Sequence, residues 1–243
     1  MGTMMHPKPL LAALISLGCL LSGEVQAASL EISPVTVAFV PGQNATTIGV
    51  KNRGGAPAAI QIRAYSWTQA GNEDVLTPTQ DIILSPPIFT VPGGASQTIR
   101  LLLRGGKVAA GERSYRLLLD EVPAPNIQNR QIAIALRVSL PVIAASASAA
   151  PRTLQWRARR GPAGQILLSA TNTGPAYDMI QTIAVTLPNG SQPDVVPRGK
   201  NPYILAGAQR HWVVQGGRAM GAALRLSITT KSGKSEQTLA LGP

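Results

Sequence analysis

The stretch Asn129-Arg130-Gln131-Ile132-Ala133-Ile134-Ala135-Leu136-Arg137-Val138-Ser139 decides how the fold is to be read. Ile132, Ile134, Leu136 and Val138 fall two residues apart, so in an extended strand their side chains share one face. The other face carries Gln131, Ala133, Ala135, Arg137 and Ser139, all but Arg137 short or uncharged. Two readings are open. In one, this is a half-buried sandwich strand whose aliphatic side lies in its own core. In the other the faces are reversed: the alanines lie on the parent domain, and the bulky row is offered to a partner that lacks a strand.

Upstream, the chain from Ser29 is a series of short β segments broken by turn residues. Leu30 to Val40 predicts a long first strand interrupted at Pro34, which suits an edge or a kink. Thr46 to Lys51 is a second strand, ended by Asn52-Arg53-Gly54-Gly55, and Ala59 to Trp67 a third. Gly71-Asn72-Glu73-Asp74 predicts a loop. Ile82 to Val91, broken by Pro86-Pro87, is the fourth, and Ser96 to Leu103 the fifth. Ser114 to Glu121 and Gln131 to Val142 complete the set. About seven strands with turn signals every 8–15 residues match an immunoglobulin-like sandwich.

Downstream, Ala144 to Pro151 is low in bulk and predicts an interdomain linker. Beyond it strands recur at Thr153 to Ala158, Gln165 to Thr171, Met179 to Leu187, Arg210 to Gln215, Ala223 to Thr230 and Glu236 to Leu241. Pro188-Asn189-Gly190 and Lys231-Ser232-Gly233-Lys234 are hairpin signals. The fold class is therefore all-β, with two sandwich domains over 29–148 and 149–243. The strand map of 193–207 is left undefined by pattern alone.

Residues 1–28 predict an export signal: Lys8 in a short n-region, an apolar segment from Leu10 to Leu21, and Val25-Gln26-Ala27-Ala28 for cleavage. Cys19 could mark a lipoprotein, but Ser16 stands where that signal prefers leucine. The mature chain would hold no cysteine and would rest on its hydrophobic cores. Its charge is uneven. Residues 29–148 hold ten Lys/Arg against seven Asp/Glu, or +3, and 149–243 hold eleven against three, or +8. Arg157, Arg159 and Arg160 form a short basic run that reads first as a solvated strand end. No aromatic platform accompanies it, so no nucleic-acid partner is expected.

His211 is the one mature histidine, so an ordinary zinc or triad site has almost no ligands or bases to draw on. Asp120 and Glu121 are adjacent and in a strand would point to opposite faces. No enzyme activity, metal or cofactor is expected.

Leu84-Ser85-Pro86-Pro87-Ile88-Phe89, Val91 to Arg100, Glu112 to Leu117 through Glu121-Val122-Pro123, Ile132 to Leu136 and Ser139-Leu140-Pro141-Val142, in this order, resemble the periplasmic chaperones of the chaperone–usher pathway. Arg116 after Tyr115 and the Ser-Leu-Pro-Val run are most similar to the archaic, spore-coat or Csu-like branch. The resemblance implies two immunoglobulin-like domains set as a boomerang. It also implies donor-strand complementation of pilus subunits, with Ile132, Ile134, Leu136 and Val138 filling the subunit groove; chaperone–pilin pairs are a known example of recognition by strand addition. Partners would be pilus subunits and an outer-membrane usher, in the periplasm, with no membrane insertion and a monomeric free state. The family's usual cations for the subunit carboxylate are matched here by Thr36 and Pro141, which carry no charge. Arg116 and Arg137 are the substitute candidates, and a surface salt bridge to a neighbour such as Asp120 or Glu112 is the competing role for each, more so for Arg137. A secreted structural or adhesive sandwich, such as a pilus subunit or sugar-binding module, is the alternative function.

Overall fold

The computed structural model describes residues 29–39, 41–106, 108, 110–123, 135–146, 152–199, 201–215 and 221–243. The export signal, the centre of the linker, and Ile132 and Ile134 lie outside the described residues.

The first ten strands are β1 (Leu30–Ser33), β2 (Val37–Phe39), β3 (Ala45–Asn52), β4 (Ala58–Ala70), β5 (Glu73–Pro78), β6 (Ile82–Ser85), β7 (Ile88–Val91), β8 (Ser96–Leu103), β9 (Glu112–Val122) and β10 (Arg137–Ala145). They form two sheets, β1-β3-β8-β6 and β2-β10-β9-β4-β5, with β7 also on β4. The predicted long first strand is in fact two strands in two sheets. Pro34 has no N–H to continue the ladder, and the chain crosses there from β1 to β2. Pro86-Pro87 does the same between β6 and β7. On β8, Ile99, Leu101 and Leu103 are buried while Arg100 and Leu102 are exposed, as the alternation requires. Those residues meet Ile60, Leu117 and Leu119 from the opposite sheet in one core.

Glu73 and Asp74 lie on a strand, not in the predicted loop. Ala70 pairs with Glu73, so Gly71-Asn72 alone makes the turn, with Gly71 at φ 58°. A positive φ there is cheap for glycine and allows a tight hairpin.

The remaining strands are β11 (Leu154–Arg160), β12 (Ile166–Asn172), β13 (Asp178–Thr186), β14 (Val195–Pro197), β15 (Tyr203–Ile204), β16 (Gln209–Val214), β17 (Ala223–Thr230) and β18 (Gly233–Gly242). They follow one path, β14-β16-β12-β11-β18-β17-β13-β15, wrapped over a core that includes Trp156, Leu168, Val214 and Leu226. The Lys231-Ser232 turn joins β17 and β18 through the Thr230–Gly233 pair. Asn189-Gly190 also turns, with Gly190 donating to the Leu187 carbonyl at 2.8 Å, but it makes no hairpin. The chain leaves β13 and pairs β14 with β16. An Asn-Gly dipeptide specifies the bend and leaves the destination to the core.

Both domains share one buried clasp. Asn52, at the end of β3, donates to the carbonyls of Ala56 (2.7 Å) and Val91 (3.1 Å) and accepts from Gly54 N–H (2.9 Å). Asn172, at the end of β12, donates to those of Ala176 (2.8 Å) and Ile204 (2.9 Å) and accepts from Gly174 N–H (3.0 Å). Each is fully buried. A buried amide must satisfy its donors and acceptor, and here it ties a strand end to the opposing sheet.

Candidate functional site

β10 has two neighbours. β9 pairs with it from Arg137 to Ala145, whereas β2, running parallel, covers only Val142 to Ala144. From Arg137 to Pro141 the other edge of β10 has no strand partner among the described residues. An uncapped edge of this kind is a template for another strand.

Side chains on β10 alternate. Leu140, Val142 and Ala144 belong to the N-terminal core, and half-buried Val138 packs against it in the same row. Leu136, next in the row, is 38% exposed, and Ala135 is exposed. The expected reversal of faces therefore fails at this end of the stretch. Val138 is turned into its own domain and the alanine is not. With a period of two, a row that enters the core at Leu140 keeps that direction upstream. Leu136 is the described residue at which this row emerges from the core. Its N–H donates to Glu121 Oε2 at 3.3 Å and its carbonyl accepts from Glu121 N–H at 2.9 Å.

Arg116 is the ladder neighbour of both Tyr65 and Pro141. Leu117 and Leu119 point into the core, so Arg116 points out, between the domains. Its guanidinium lies 3.8 Å from the ring centroid of Trp67 and 5.7 Å from that of Tyr203. It reaches Asp74 only at 3.9 Å, and its side chain is 12% exposed. Burial pulls its pKa down, while the Asp74 charge opposes this. A depression of about 340 Å³ opens beside it, lined by Asp74, Leu76, Arg116, Ser139, Asn201, Pro202 and Tyr203.

Arg137 is placed differently. It pairs with Asp120, which also binds Arg63 at 2.6 Å. These bonds hold the Asp120 carboxyl below its usual range, the Arg137 bond most of all. Arg137 thus takes the salt-bridge role. Glu112, its other possible partner, instead accepts the Tyr177 N–H at 2.8 Å across the domain boundary. Thr36 is half-buried and Pro141 buried, and neither supplies a cation.

No sequence signal marked the residues that join the domains. Asn72 at the β4–β5 turn donates to the His211 carbonyl at 2.8 Å and accepts from His211 N–H at 3.0 Å. Arg210 is buried and binds Asp74 at 2.8 Å, the Tyr203 carbonyl at 3.2 Å and the Asn72 carbonyl. Burial pushes the Asp74 carboxyl up, but bonds from Asn201 and Gln69 and the Arg210 charge bring it below its ordinary value. Trp67 meets Tyr203 edge-on at 5.3 Å and, with Ile143, belongs to the second domain's core cluster. Among the described residues no His/Cys/Asp/Glu group could hold a metal ion. No helix there is long and apolar enough to cross a membrane.

Residues 29–148 match the family described as pili and flagellar-assembly chaperone, PapD N-terminal domain. A chaperone protein, FimB/FhaD of Bordetella pertussis, is 30% identical over 103 residues, which are 40% of this chain and 41% of that protein. The chain therefore matches about two-fifths of that relative's length. In fold it is similar to CsuC, from a chaperone–tip subunit pre-assembly complex of archaic Csu pili of Acinetobacter baumannii. The TM-score is 0.63 at 23% identity, covering 88% of this chain and 99% of that one. It is also similar to the SafB chaperone, from its complex with the SafA pilin of Salmonella enterica, with a TM-score of 0.61 at 16% identity over 89% and 98% of the two chains.

Proposed function

Because the chain belongs to the family of pilus-assembly chaperones, we propose that it is a periplasmic chaperone that binds, folds and caps pilus subunits by lending them a strand and passes them to an outer-membrane usher. The observation that carries this reading is the half-covered edge of β10. A guest strand running parallel to β10, in line with β2, would pair with Arg137 to Pro141 and end where β2 begins. Its carboxylate would then arrive beside Thr36 and Pro141, one ladder step from Arg116.

By their two-residue spacing in the sequence, Ile132 and Ile134 would extend the row of Leu136, Val138, Leu140 and Val142. The donor surface is the continuation of the chaperone's own core beyond its rim, with Val138 at the junction. Burying each such side chain is worth about 1.5–3 kcal/mol, a gross gain able to hold an incomplete sandwich without ATP. Arg116 is the proposed holder of the terminal carboxylate, with Arg137 second. Asp74 is shared by two arginines, and it binds Arg210 far more closely than Arg116. A guest carboxylate would give Arg116 a close partner, and a charge-assisted bond of this kind is worth about 1.5–3 kcal/mol. Two sandwiches, each with its own buried core, support this reading over that of a single-domain subunit.

The test is co-expression with a pilus subunit in the periplasm, followed by co-purification. Ile134→Asp and Leu136→Asp are expected to abolish capture while the free chaperone unfolds at its normal temperature. Arg116→Ala is expected to lose capture and also some interdomain stability, because the guanidinium stacks on Trp67. Capture at normal yield by both Ile134→Asp and Leu136→Asp would overturn the donor-strand assignment. Capture at normal yield by Arg116→Ala would move the anchor to Arg137.

A further inference from the structure

The outward face of the sheet β14-β16-β12-β11 carries cations that nothing answers. Backbone register puts Arg157, Ser169 and His211 side by side, and the Arg198 N–H donates to the His211 carbonyl at 3.2 Å. The next row is Arg159, Leu167, Val213 and Val196. Arg157, Arg159 and Arg198 are exposed, and among the described residues none of their guanidiniums makes a hydrogen bond or an ion pair. Nothing acidic stands on these two rows. The second domain's acids stand off these two rows: Asp178 is buried, Glu236 pairs with Lys234 at 3.3 Å, and exposed Asp194, two residues before Val196, begins the next row. His211 is held below its usual pKa by burial and by Arg198 and Arg159, so near neutral pH it adds no charge of its own.

We propose that this face is a docking surface for an acidic, extended segment of a partner protein. Arg157 and Arg159 lie two residues apart on one strand, about 7 Å, which is also the spacing of every second side chain along an extended chain. Carboxylates at alternate positions would therefore meet successive guanidiniums, each able to bind a carboxylate through two parallel bonds. The edge of the apolar row gives the segment's intervening side chains a place to rest: Leu167 is buried, Val213 is half-buried, and Val196 is 37% exposed. A small apolar centre with a charged rim is the usual anatomy of a protein interface.

Other anionic partners fit less well. Anionic lipid is drawn by clusters of about 4–8 basic residues, and among the described residues this face has three, with no protruding aromatic to enter a bilayer. Nucleic acid needs ring faces for its bases, and Trp156 and Trp212 are turned inward. Surface arginines in ordinary sandwiches are commonly solvated or paired locally. Here three unpaired ones lie within four strands around Val196 and Val213, whereas in the N-terminal domain Arg53, Arg63, Arg116 and Arg137 stand in ion pairs and exposed Arg100 stands without one among the described residues.

The experiment uses the full mature chain and two fluorescent peptides of equal composition. One carries glutamate at every second position between threonines and valines, and the other carries its glutamates in one block. Anisotropy is expected to show preference for the alternating peptide, an affinity that falls with salt, and a loss of about tenfold or more in R157E/R159E/R198E. R157Q/R159Q/R198Q should lose less and fold as the parent does, which covers failure of the reversed variant to fold. Subunit capture should be unchanged in both variants, which separates this surface from the donor strand. Equal binding of the two peptides would overturn the proposal. So would undiminished binding by the variants, or binding only to phosphatidylglycerol vesicles.

Discussion

The two domains share a plan and differ at their edges. Asn52 and Asn172 make the same three-bond clasp, each fully buried at a strand end. The second domain finishes its path with β14 and β15, three and two residues long, and β14 carries Pro197. Short edges with proline offer little ladder for another chain. The first domain leaves half of a nine-residue strand uncovered on one side. The same fold can thus be sealed or held open, and the difference lies in how far one neighbour strand extends. Charge follows the opposite pattern: Arg137 at the open edge is paired with Asp120, whereas Arg157, Arg159 and Arg198 on the second domain's outward face have no ion pair among the described residues.

The largest effect is expected where the domains meet. Arg210→Ala removes the closest cation from Asp74 and the donor from two carbonyls, and should cost about 3 kcal/mol in denaturant unfolding. If it costs less than about 1 kcal/mol, the clasp around Asp74 does not hold the two domains together.

Val138→Asp against Leu136→Asp is the next test. The first places a carboxylate against the N-terminal core and should cost about 2–3 kcal/mol. The second leaves it in water and should cost less than about 0.5 kcal/mol. Equal losses would mean that the row does not leave the core between them.

Asn52→Ala and Asn172→Ala test the shared plan. Each strands two buried carbonyls and one N–H, for about 1–3 kcal/mol. Similar losses in thermal unfolding would confirm that the clasps are equivalent.

The smallest effect is in acid. The Asp74 pKa is lowered in the folded state, so its contribution is present above the unfolded value of about 3.9 and is lost as pH falls through the lower folded one. Asp74→Asn should flatten the stability curve below about pH 4, read from the unfolding midpoint at successive pH values. A curve unchanged by the substitution would remove Asp74 from the acid response.

Much of this was legible locally. β8 spans the residues its alternation marks, because one of its faces is core and the other solvent. Pro34 and Pro86-Pro87 announced breaks, though not that the chain changes sheets there, since that depends on which core is within reach. The Asn189-Gly190 turn revealed its bend and not its partner. Residues 193–207 hid Tyr203 on a two-residue strand too short for any periodicity. Asn72, Asp74 and Arg210 were unreadable for a related reason. Their partners are more than 130 positions away, and domain docking leaves no repeat in either segment. Val138 was misjudged because a two-residue period groups side chains by face without saying which face is inward.

β2 has a consequence beyond covering three residues. It is a stop. A strand entering along β10 must halt where β2 starts, so positions along the guest are counted back from its last residue. One residue added to the guest's C-terminus would shift the count by one and turn every side chain to the wrong face. Two added residues would restore the faces and move the charge about 7 Å from its seat. Such a chaperone would measure the end of its client as well as its composition, and would refuse a subunit that differs only in where it stops.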